Sequence, residues 1–284
     1  MTRTSVIIAV FNRTAFLKLC LLSLRHQSVL PDEVIITDDG SQTDVVSPIK
    51  ELISNAPFKT MYVKQKHKGF RLAKCRNNGV RTATGEYLIF VDQDLIFTRN
   101  FMKTFLDHRR EKQFCVSYPI RLSGDQTERC TAAVARQYNF DPILEKKQIE
   151  KIHRQYRKDR FYLFLKKLRL REIGPKLRGG VAAINREDFQ KVNGYDEQYQ
   201  GWGNEDDDLG RRLYQAGIIG NNPFSHEFPL HLYHPPHHVD GRRINQEYYQ
   251  RRIHAIRQGE YRCEFGYDNP LNEGEEQITA LHLN

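Results

Sequence analysis

The sequence predicts an α/β protein whose mostly parallel central sheet is flanked by helices. In the first hundred residues, short apolar, β-branched segments alternate with segments of helical period, which is the pattern of βα units. The apolar segments are continuous, as expected for strands that are buried on both faces. A chain of 284 residues is long enough to form one such core with a subdomain.

The predicted elements follow one another without a linker between independent domains. We expect the first four strands at residues 5–10, 33–38, 60–65 and 86–92. The helices between them are predicted at residues 14–27 and about 72–82.

The pattern changes in the second half of the chain. Residues 120–177 are rich in Lys and Arg, and their apolar and polar residues do not alternate regularly, which indicates a helical insertion or a mobile arm. The elements expected after it are a strand within 178–189, a loop and helix over 194–217 closed by Gly217, a short strand and turn at 231–238, and a basic helix near 242–257. The remaining tail is polar and is expected to be irregular.

The net charge of +9 is concentrated in one segment. Residues 145–172 contain eleven Lys and Arg against four Asp and Glu. We expect no nucleic-acid partner, because no nucleic-acid-binding module accompanies this segment. A solvated helix, or peripheral contact with an anionic membrane or a phosphorylated acceptor, accounts for the charge equally well.

Cysteine usage and the N-terminus indicate a cytoplasmic location. The five cysteines are odd in number and lack CxxC spacing, so neither a disulfide framework nor a cysteine zinc site is predicted. The N-terminal apolar stretch is too short for a signal peptide, and no segment is long enough to span a bilayer. We therefore expect a cytoplasmic protein, free or peripheral at the inner face of the plasma membrane.

The first candidate site is Asp92-Gln93-Asp94, which follows the fourth predicted strand. Open α/β sheets bind their ligands outside the carboxyl ends of strands, and hard cations such as Mn²⁺ or Mg²⁺ prefer carboxylate oxygens. Such a cation neutralises the pyrophosphate that leaves a nucleotide-sugar. We expect Asp94 to bind the metal and Asp92 to bind the ribose or a metal-bound water. A solvated turn or helix cap is the plainer interpretation.

The second candidate is the acidic segment 201–208, GWGNEDDD, at the start of a predicted helix. A carboxylate held at a helix N-terminus can act as the general base that takes a proton from an acceptor hydroxyl, and Glu205 and Asp206 are the candidates. Trp202 offers an apolar face for a sugar ring. An acidic first turn that only complements the helix dipole is the alternative.

The third candidate is the histidine segment 231–238, HLYHPPHH. Alternation along a strand would place these side chains on different faces, which argues against a tetra-histidine zinc site. One imidazole could complete a Mn²⁺ shell with an aspartate and phosphate oxygens. His234 is the preferred ligand and His231 the second choice. A surface histidine is the plainer alternative.

Two further loops are expected to bind a nucleotide. Phe11 and Arg13 follow the first strand, and Asp39 follows the second, where its carboxylate could accept the imide proton of uracil. Arg71 and Arg76, on the next helix, could direct their guanidinium groups at phosphates. A simple strand-to-helix turn and surface ion pairs are the alternatives.

Together these motifs resemble the family 2 type glycosyltransferases of the GT-A fold. From Gly179 onward they look like β-1,4-galactosyltransferases and the transferase halves of bacterial chondroitin polymerase. The resemblance spans nearly the whole chain, and the order of the motifs along the chain makes it highly specific. The segments that carry it are AVFNR (9–13), DDGS (38–41), RLAKCRNNG (71–79), DQD (92–94), residues 179–213 and HLYHPP (231–236).

The resemblance implies an inverting, metal-dependent transfer of a sugar from a UDP-sugar to a glycan or lipid-linked glycan. It implies UDP binding by Phe11, Arg13, Asp39 and Arg76. We expect Arg71, Asp92, Gly180 and Trp202 to complete the donor-binding residues. It implies metal binding by Asp94 and His234, and acceptor placement by Trp202 and Glu205. Asp206 matches the catalytic base of the family.

The same resemblance divides the chain into functional parts within a single catalytic domain. These are a nucleotide-binding half (1–119), the basic helical insertion (120–177), an acceptor and catalytic half (178–239) and a C-terminal helix and tail (240–284). The chain departs from animal galactosyltransferases in lacking a Golgi anchor and in carrying His231 where they have methionine. From the first departure we expect a cytoplasmic enzyme that makes a bacterial surface polysaccharide. The second leaves the metal shell and the metal preference open.

Two other functions are alternatives to the transferase. A sugar-1-phosphate nucleotidyltransferase would place a glycine-rich phosphate loop after the first strand, where this chain has Phe11-Asn12-Arg13. A non-catalytic glycan- or nucleotide-binding module would have no need for all three of the acidic and histidine motifs.

Overall fold

The computed structural model describes residues 2–235, 244–271 and 279–282 and confirms the α/β class. In the first part of the chain, the elements are β1 (Thr4–Val10), α1 (Thr14–Arg25), β2 (Glu33–Asp38), a 3₁₀ turn (Ser47–Ile49), α2 (Lys50–Ser54), β3 (Lys59–Lys64), α3 (Leu72–Thr82), β4 (Tyr87–Asp92), β5 (Leu95–Phe97), α4 (Phe101–Asp107) and β6 (Gln113–Val116).

The second part supplies shorter strands and the longest helix. Its elements are β7 (Ile120–Arg121), α5 (Gly124–Glu128), α6 (Ala132–Gln137), α7 (Lys146–Lys167), β8 (Ala182–Asn185), α8 (Arg186–Lys191), α9 (Glu205–Gln215), β9 (Ile219–Asn221), β10 (Pro229–His231), α10 (Gln246–Arg257) and β11 (Thr279–His282).

The predicted elements of the first hundred residues agree closely with these bounds. Strand β2 and helix α3 have the predicted limits, β1 and β4 differ by one residue at one end, and β3 is shifted by one residue. The basic insertion is helical, since α7 extends over 22 residues of it. The strand predicted within the histidine segment ends at His231, so most of that segment lies outside it. Residues 236–243 lie outside the described residues.

The central sheet is mixed, with a parallel core. Its strand order is β11-β3-β2-β1-β4-β8-β6-β9. Strands β3, β2, β1 and β4 run parallel, whereas β8 is antiparallel to both β4 and β6. All seven residues of β1 are buried, with Val6 and Ile8 packing into one apolar cluster and Ile7 into the other. The sheet therefore has apolar layers on both faces, as its continuous apolar strands predict.

A second sheet of three strands places the histidine segment beside Asp94. Strand β10 lies between β5 and β7, antiparallel to β5 and parallel to β7. His231 is the register partner of Leu95, and the Leu232 N–H donates to the Asp94 carbonyl at 2.9 Å. Residues more than a hundred positions apart in the chain thus become neighbours.

The cysteines and the helices add two facts about the whole chain. All five cysteines are buried and carry free thiols. Among the residues that the structure describes, no helix combines the length and the apolar character that a membrane span requires.

Candidate active site

Three loops at the carboxyl ends of β1, β2 and β4 are joined by hydrogen bonds. The Asn12 N–H donates to Ser41 Oγ at 2.7 Å and links the loops after β1 and β2. Gln93 Nε2 donates to the Phe11 carbonyl at 2.9 Å and links the loops after β4 and β1. The candidate residues in these loops therefore lie side by side at the carboxyl edge of the parallel sheet. Ligands of open α/β sheets bind at this edge.

The two aspartates that follow β2 have different tasks. Asp38 accepts hydrogen bonds from the Ser41 N–H, at 2.7 Å, and from the Tyr62 hydroxyl, so it fixes the turn. Asp39 accepts from Gln65 Nε2 at 2.6 Å and from the Arg71 N–H at 2.8 Å. Burial raises the pKa of the Asp39 carboxyl above its ordinary value despite these donors.

Phe11 and Arg71 flank the Asp39 turn. The ring of Phe11 stacks on His67, with centroids 4.9 Å apart, and His67 Nδ1 lies 3.1 Å from the Asp39 carbonyl. Arg71 was expected to direct its guanidinium at phosphates. In the structure the guanidinium donates to the Lys66 carbonyl, and the backbone of Arg71 supports Asp39. Arg71 therefore shapes the loop of Asp39.

The buried guanidinium of Arg76 is the centre of an acidic cluster. Its Nη2 lies 2.8 Å from Asp92 Oδ1, and its Nη1 lies 3.0 Å from Asp206 Oδ1 and 3.9 Å from Glu205 Oε1. Its guanidinium also lies over the ring of Tyr195, 5.1 Å from the centroid. The sequence suggested that Arg76 faces phosphates, whereas in the structure it is 1% exposed and binds carboxylates.

Gly180 is required where it stands because Asp92 approaches it closely. A Cβ on Gly180 would lie 1.9 Å from Asp92 Oδ2, and the backbone φ of +70° also disfavours a side chain. The Gly180 N–H donates to Asp206 Oδ2 at 3.3 Å. Burial raises the pKa of Asp92 to about 6, since repulsion from Asp94 and Asp206 adds to it and Arg76 only partly opposes it.

The four consecutive acids at the start of α9 form two pairs with different partners. Glu205 and Asp206 face Arg76, as described above. Asp207 accepts from Arg211 Nε at 2.9 Å, and Asp208 lies 2.5 Å from the Nε of buried Arg212. One pair thus enters the candidate site, and the other fixes the helix within the protein.

Glu205 is buried, and its carboxylate is only partly hydrogen-bonded. It is 8% exposed, and among the described residues its Oε2 has no hydrogen-bond partner. Burial and repulsion from Asp206 raise the pKa of Glu205 to about 7, against the attraction of Arg76. The preceding loop exposes 46% of Trp202, the apolar surface that the sequence assigns to an acceptor sugar.

Asp94, His231 and His234 form a second cluster. His234 Nε2 lies 3.0 Å from Asp94 Oδ2, His231 Nε2 lies 3.7 Å from Asp94 Oδ1, and Arg13 Nη1 lies 3.9 Å from Asp94 Oδ2. Burial alone would raise the pKa of Asp94, but these neighbours hold it below its ordinary value. Asp94 raises the pKa of His234, whereas burial lowers that of His231.

This second cluster fits a divalent cation. One ligand atom from each of Asp94, His231 and His234 lies within 4.8 Å of the others. Asp94 Oδ1 is buried and has no hydrogen-bond partner among the described residues, which leaves a carboxylate oxygen available. A carboxylate with imidazoles suits Mn²⁺ among other metals.

His231 and His234 lie close together because only His231 belongs to a strand. The chain leaves β10 after His231, so the expected separation of side chains onto opposite faces does not apply to His234. The ring centroids of these two histidines are 5.2 Å apart. His237 and His238 lie outside the described residues.

Three residues that the sequence analysis overlooked support the site. Gln65 and His67 hold the Asp39 turn, and the Tyr195 hydroxyl donates to Asp206 Oδ1 at 3.4 Å. Gln65 follows β3, so the rule that selected the ends of β1, β2 and β4 could have selected it as well. The sequence pattern carries no comparable signal for Tyr195.

Two family profiles match the chain. The profile described as glycosyl transferase family 2 matches residues 5–192, which is more than half of the chain. The profile described as the N-terminal domain of galactosyltransferase matches residues 159–235. These matches correspond to the two resemblances drawn from the motifs.

Curated relatives include bacterial polysaccharide synthases. The chain is 29% identical over 232 residues to the chondroitin synthase of Pasteurella multocida (strain Pm70), covering 76% of this chain and 23% of that protein. It is 25% identical over 241 residues to the chondroitin synthase of Escherichia coli, covering 75% and 32%. A validoxylamine A glucosyltransferase of Streptomyces hygroscopicus subsp. limoneus is 26% identical, with 75% and 48% covered. The chain thus spans from about a quarter to about half of the length of these relatives.

Solved glycosyltransferase structures share the fold. A structure of GalNAc-T7 with UDP, GalNAc and Mn²⁺ has a TM-score of 0.60 at 18% identity, covering 89% of this chain and 48% of that one. A structure of S. aureus TarS with UDP-GlcNAc has a TM-score of 0.62 at 15% identity, covering 94% and 68%. The predicted GT-A fold is confirmed. With the family profile matched over most of the central sheet, the chain belongs to glycosyl transferase family 2.

Proposed function

We propose that this protein transfers a sugar from a UDP-sugar to a hydroxyl group of an acceptor glycan, with inversion at the anomeric carbon. The observation that carries this proposal is the position of Asp92. It lies two residues from the candidate metal ligand Asp94, and Arg76 binds it together with Asp206. The buried guanidinium of Arg76 therefore links Asp92, next to the candidate metal site, to the candidate base Asp206.

On the donor side, the residues at the ends of β1 and β2 bind the nucleotide. Asp39 retains acceptor capacity beyond the hydrogen bonds from Gln65 and Arg71, so its carboxylate can accept a hydrogen bond from the uracil imide N–H. Phe11 supplies an aromatic surface beside it, and Arg13 adds positive charge near Asp94.

At the metal site, Asp94, His234 and His231 would hold Mn²⁺, or Mg²⁺ in its place. The bound cation would supply neutralising charge for the departing UDP. The backbone of Asp94 fixes the position of the site, because its carbonyl accepts a hydrogen bond from the Leu232 N–H just after β10.

On the acceptor side, Asp206 takes the proton of the attacking hydroxyl. Arg76, Tyr195 and the Gly180 N–H hold the carboxylate of Asp206 in one orientation. The hydroxyl oxygen forms its bond to the anomeric carbon while the bond from that carbon to the UDP oxygen breaks, so an α-linked donor gives a β-linked product. Glu205 lies beside this carboxylate and, with Trp202, positions the acceptor.

The class of product is inferred from the relatives. Their names include bacterial chondroitin and hyaluronan synthases, which favours Gal, GalNAc, GlcNAc or GlcA as the donor sugar. The acceptor is then a growing glycan or lipid-linked glycan of a bacterial capsule or lipopolysaccharide. The family match favours this transferase over the nucleotidyltransferase and the non-catalytic module.

The test is UDP release from a panel of UDP-sugars, with and without EDTA, combined with UDP binding by calorimetry. We expect one donor to be turned over and EDTA to abolish the turnover. An absence of hydrolysis and transfer with every donor, alongside intact UDP binding, would support the non-catalytic nucleotide-binding module instead.

A further inference from the structure

The longest helix, α7, presents an unusual outward face. Its buried side includes Asp159 and Leu163. Residues spaced by three or four positions share a helix face, so Arg154, Arg157, Phe161 and Phe164 form one stripe on the opposite side. The first half of this stripe is cationic, and the second half is aromatic.

The apolar half of the stripe is unusually exposed. Phe161 is 57% exposed and Phe164 is 56% exposed, and beyond the end of α7 Leu168 and Leu170 are 52% and 69% exposed. Large apolar side chains that cluster in this way on a surface mark an interaction site. We call residues 154–170 the α7 surface.

Cations surround these apolar side chains. The exposed residues of the α7 surface include Lys158, Arg160, Lys167 and Arg169 in addition to the two arginines of the stripe. Asp159, the acid in this range, is buried against Asn222 Nδ2 at 2.8 Å and does not neutralise the outward face.

A cationic cleft continues from the end of this surface. It begins at Arg171, next in the chain to Leu170, and is lined by Lys176, Arg211 and Arg257, with Glu172 as an acid in its wall. Arg211 is paired with Asp207, and Arg257 lies 3.2 Å from Glu172. The exposed Lys176 lies 3.5 Å from Asp207 and keeps the opening positive.

We propose that the α7 surface binds an anionic lipid bilayer, with Phe161, Phe164 and Leu168 in the interfacial region and the flanking cations on headgroup phosphates. A basic helix with exposed aromatic and leucine side chains lies in the plane of such an interface. A soluble anionic polymer would be bound by the cations alone and would make no use of the apolar stripe.

The inner side of α7 contacts the segment that precedes Gly180. Arg178 Nη2 lies 3.3 Å from Gln155 Oε1 of α7, and Gly180 follows at the candidate active site. Gln155 lies on the inner side of α7, where its Nε2 donates to buried Asp159 at 2.9 Å, so this segment contacts the side of α7 opposite to the proposed bilayer. The proposal rests on the α7 surface alone and holds whatever the protein transfers.

The experiment is flotation of the full chain with vesicles of phosphatidylcholine, alone or mixed with phosphatidylglycerol. We expect binding to the mixed vesicles and little to the neutral ones, and weaker binding as salt rises. The charge variant R154E/R157E/K158E should bind the mixed vesicles at least about 100-fold more weakly. The matched control K18E/K50E/K59E changes three exposed lysines elsewhere by the same charge and should bind as the unmodified chain does.

A second variant separates the bilayer from a soluble polymer. F161S/F164S keeps every cation and should lose about tenfold or more in binding to the mixed vesicles, while its binding to inorganic polyphosphate stays unchanged. Circular dichroism and the unfolding midpoint check that each variant is folded. Equal vesicle binding by F161S/F164S and the unmodified chain would overturn the proposal, and so would equal weakening by the control triple variant.

Discussion

Substitution of Gly180 by alanine tests whether Asp92 and Arg76 organise the site. The new Cβ would lie 1.9 Å from Asp92 Oδ2, whereas ordinary contact begins near 3.4 Å, so the carboxylate must shift by about 1.5 Å. That shift breaks the 2.8 Å contact between Arg76 Nη2 and Asp92 Oδ1. Loss of a hydrogen bond between charged groups costs about 1.5–3 kcal/mol, and the left-handed backbone adds about 1 kcal/mol.

The matched control is G179A. Gly179 has a similar φ of +81°, but the atom nearest to its added Cβ is Pro119 Cδ at 3.5 Å, so only the backbone cost applies. Urea unfolding should show a loss of about 1 kcal/mol for G179A and about 3 kcal/mol for G180A. Sugar transfer should fall at least about 100-fold for G180A alone, because a displacement of about 1 Å can cost this much. Equal behaviour of the two variants in both assays would refute the reasoning.

Four further outcomes follow from the site. D206N should lower kcat by about 100- to 10,000-fold and leave UDP binding within about threefold; equal loss of both contradicts the base assignment. Mn²⁺ should raise the unfolding midpoint of the unmodified chain and not of D94N, as differential scanning fluorimetry would show. Since burial raises the pKa of Glu205 from 4.5 to about 7, ionisation destabilises the fold as pH rises through this interval. E205Q should therefore be more stable at pH 8, by at most about 3 kcal/mol, with no gain at pH 4. D208N should cost about 3–5 kcal/mol in urea unfolding, because Arg212 is left buried without its partner.

Much of the fold could be predicted because its strands carry local signals. The limits of β2 and α3 follow from apolar runs and helical period, and the polar residues after β1, β2 and β4 meet because parallel strands share an edge. The same rule selected the candidate positions Asp39 and Asp94, whereas Asp206 was selected from its place at a helix start and from the family resemblance.

The pairing of side chains across the site could not be predicted in this way. Nothing local distinguishes Asp206 from Asp207, since the division depends on which helix face meets Arg76. Arg76 itself was expected to face phosphates, because the sequence does not show three carboxylates converging on it. Tyr195 contacts Asp206 through the tertiary fold alone.

The three-stranded sheet makes the candidate metal site depend on pairing between distant parts of the chain. His231 reaches Asp94 only once β10 has inserted between β5 and β7, which closes a loop of more than a hundred residues. Closing a loop of this length has an entropic cost, which the contacts made by β10 must offset. A cation held by Asp94, His231 and His234 would join both ends of that loop, so metal affinity would report directly on how completely the second half of the chain has docked.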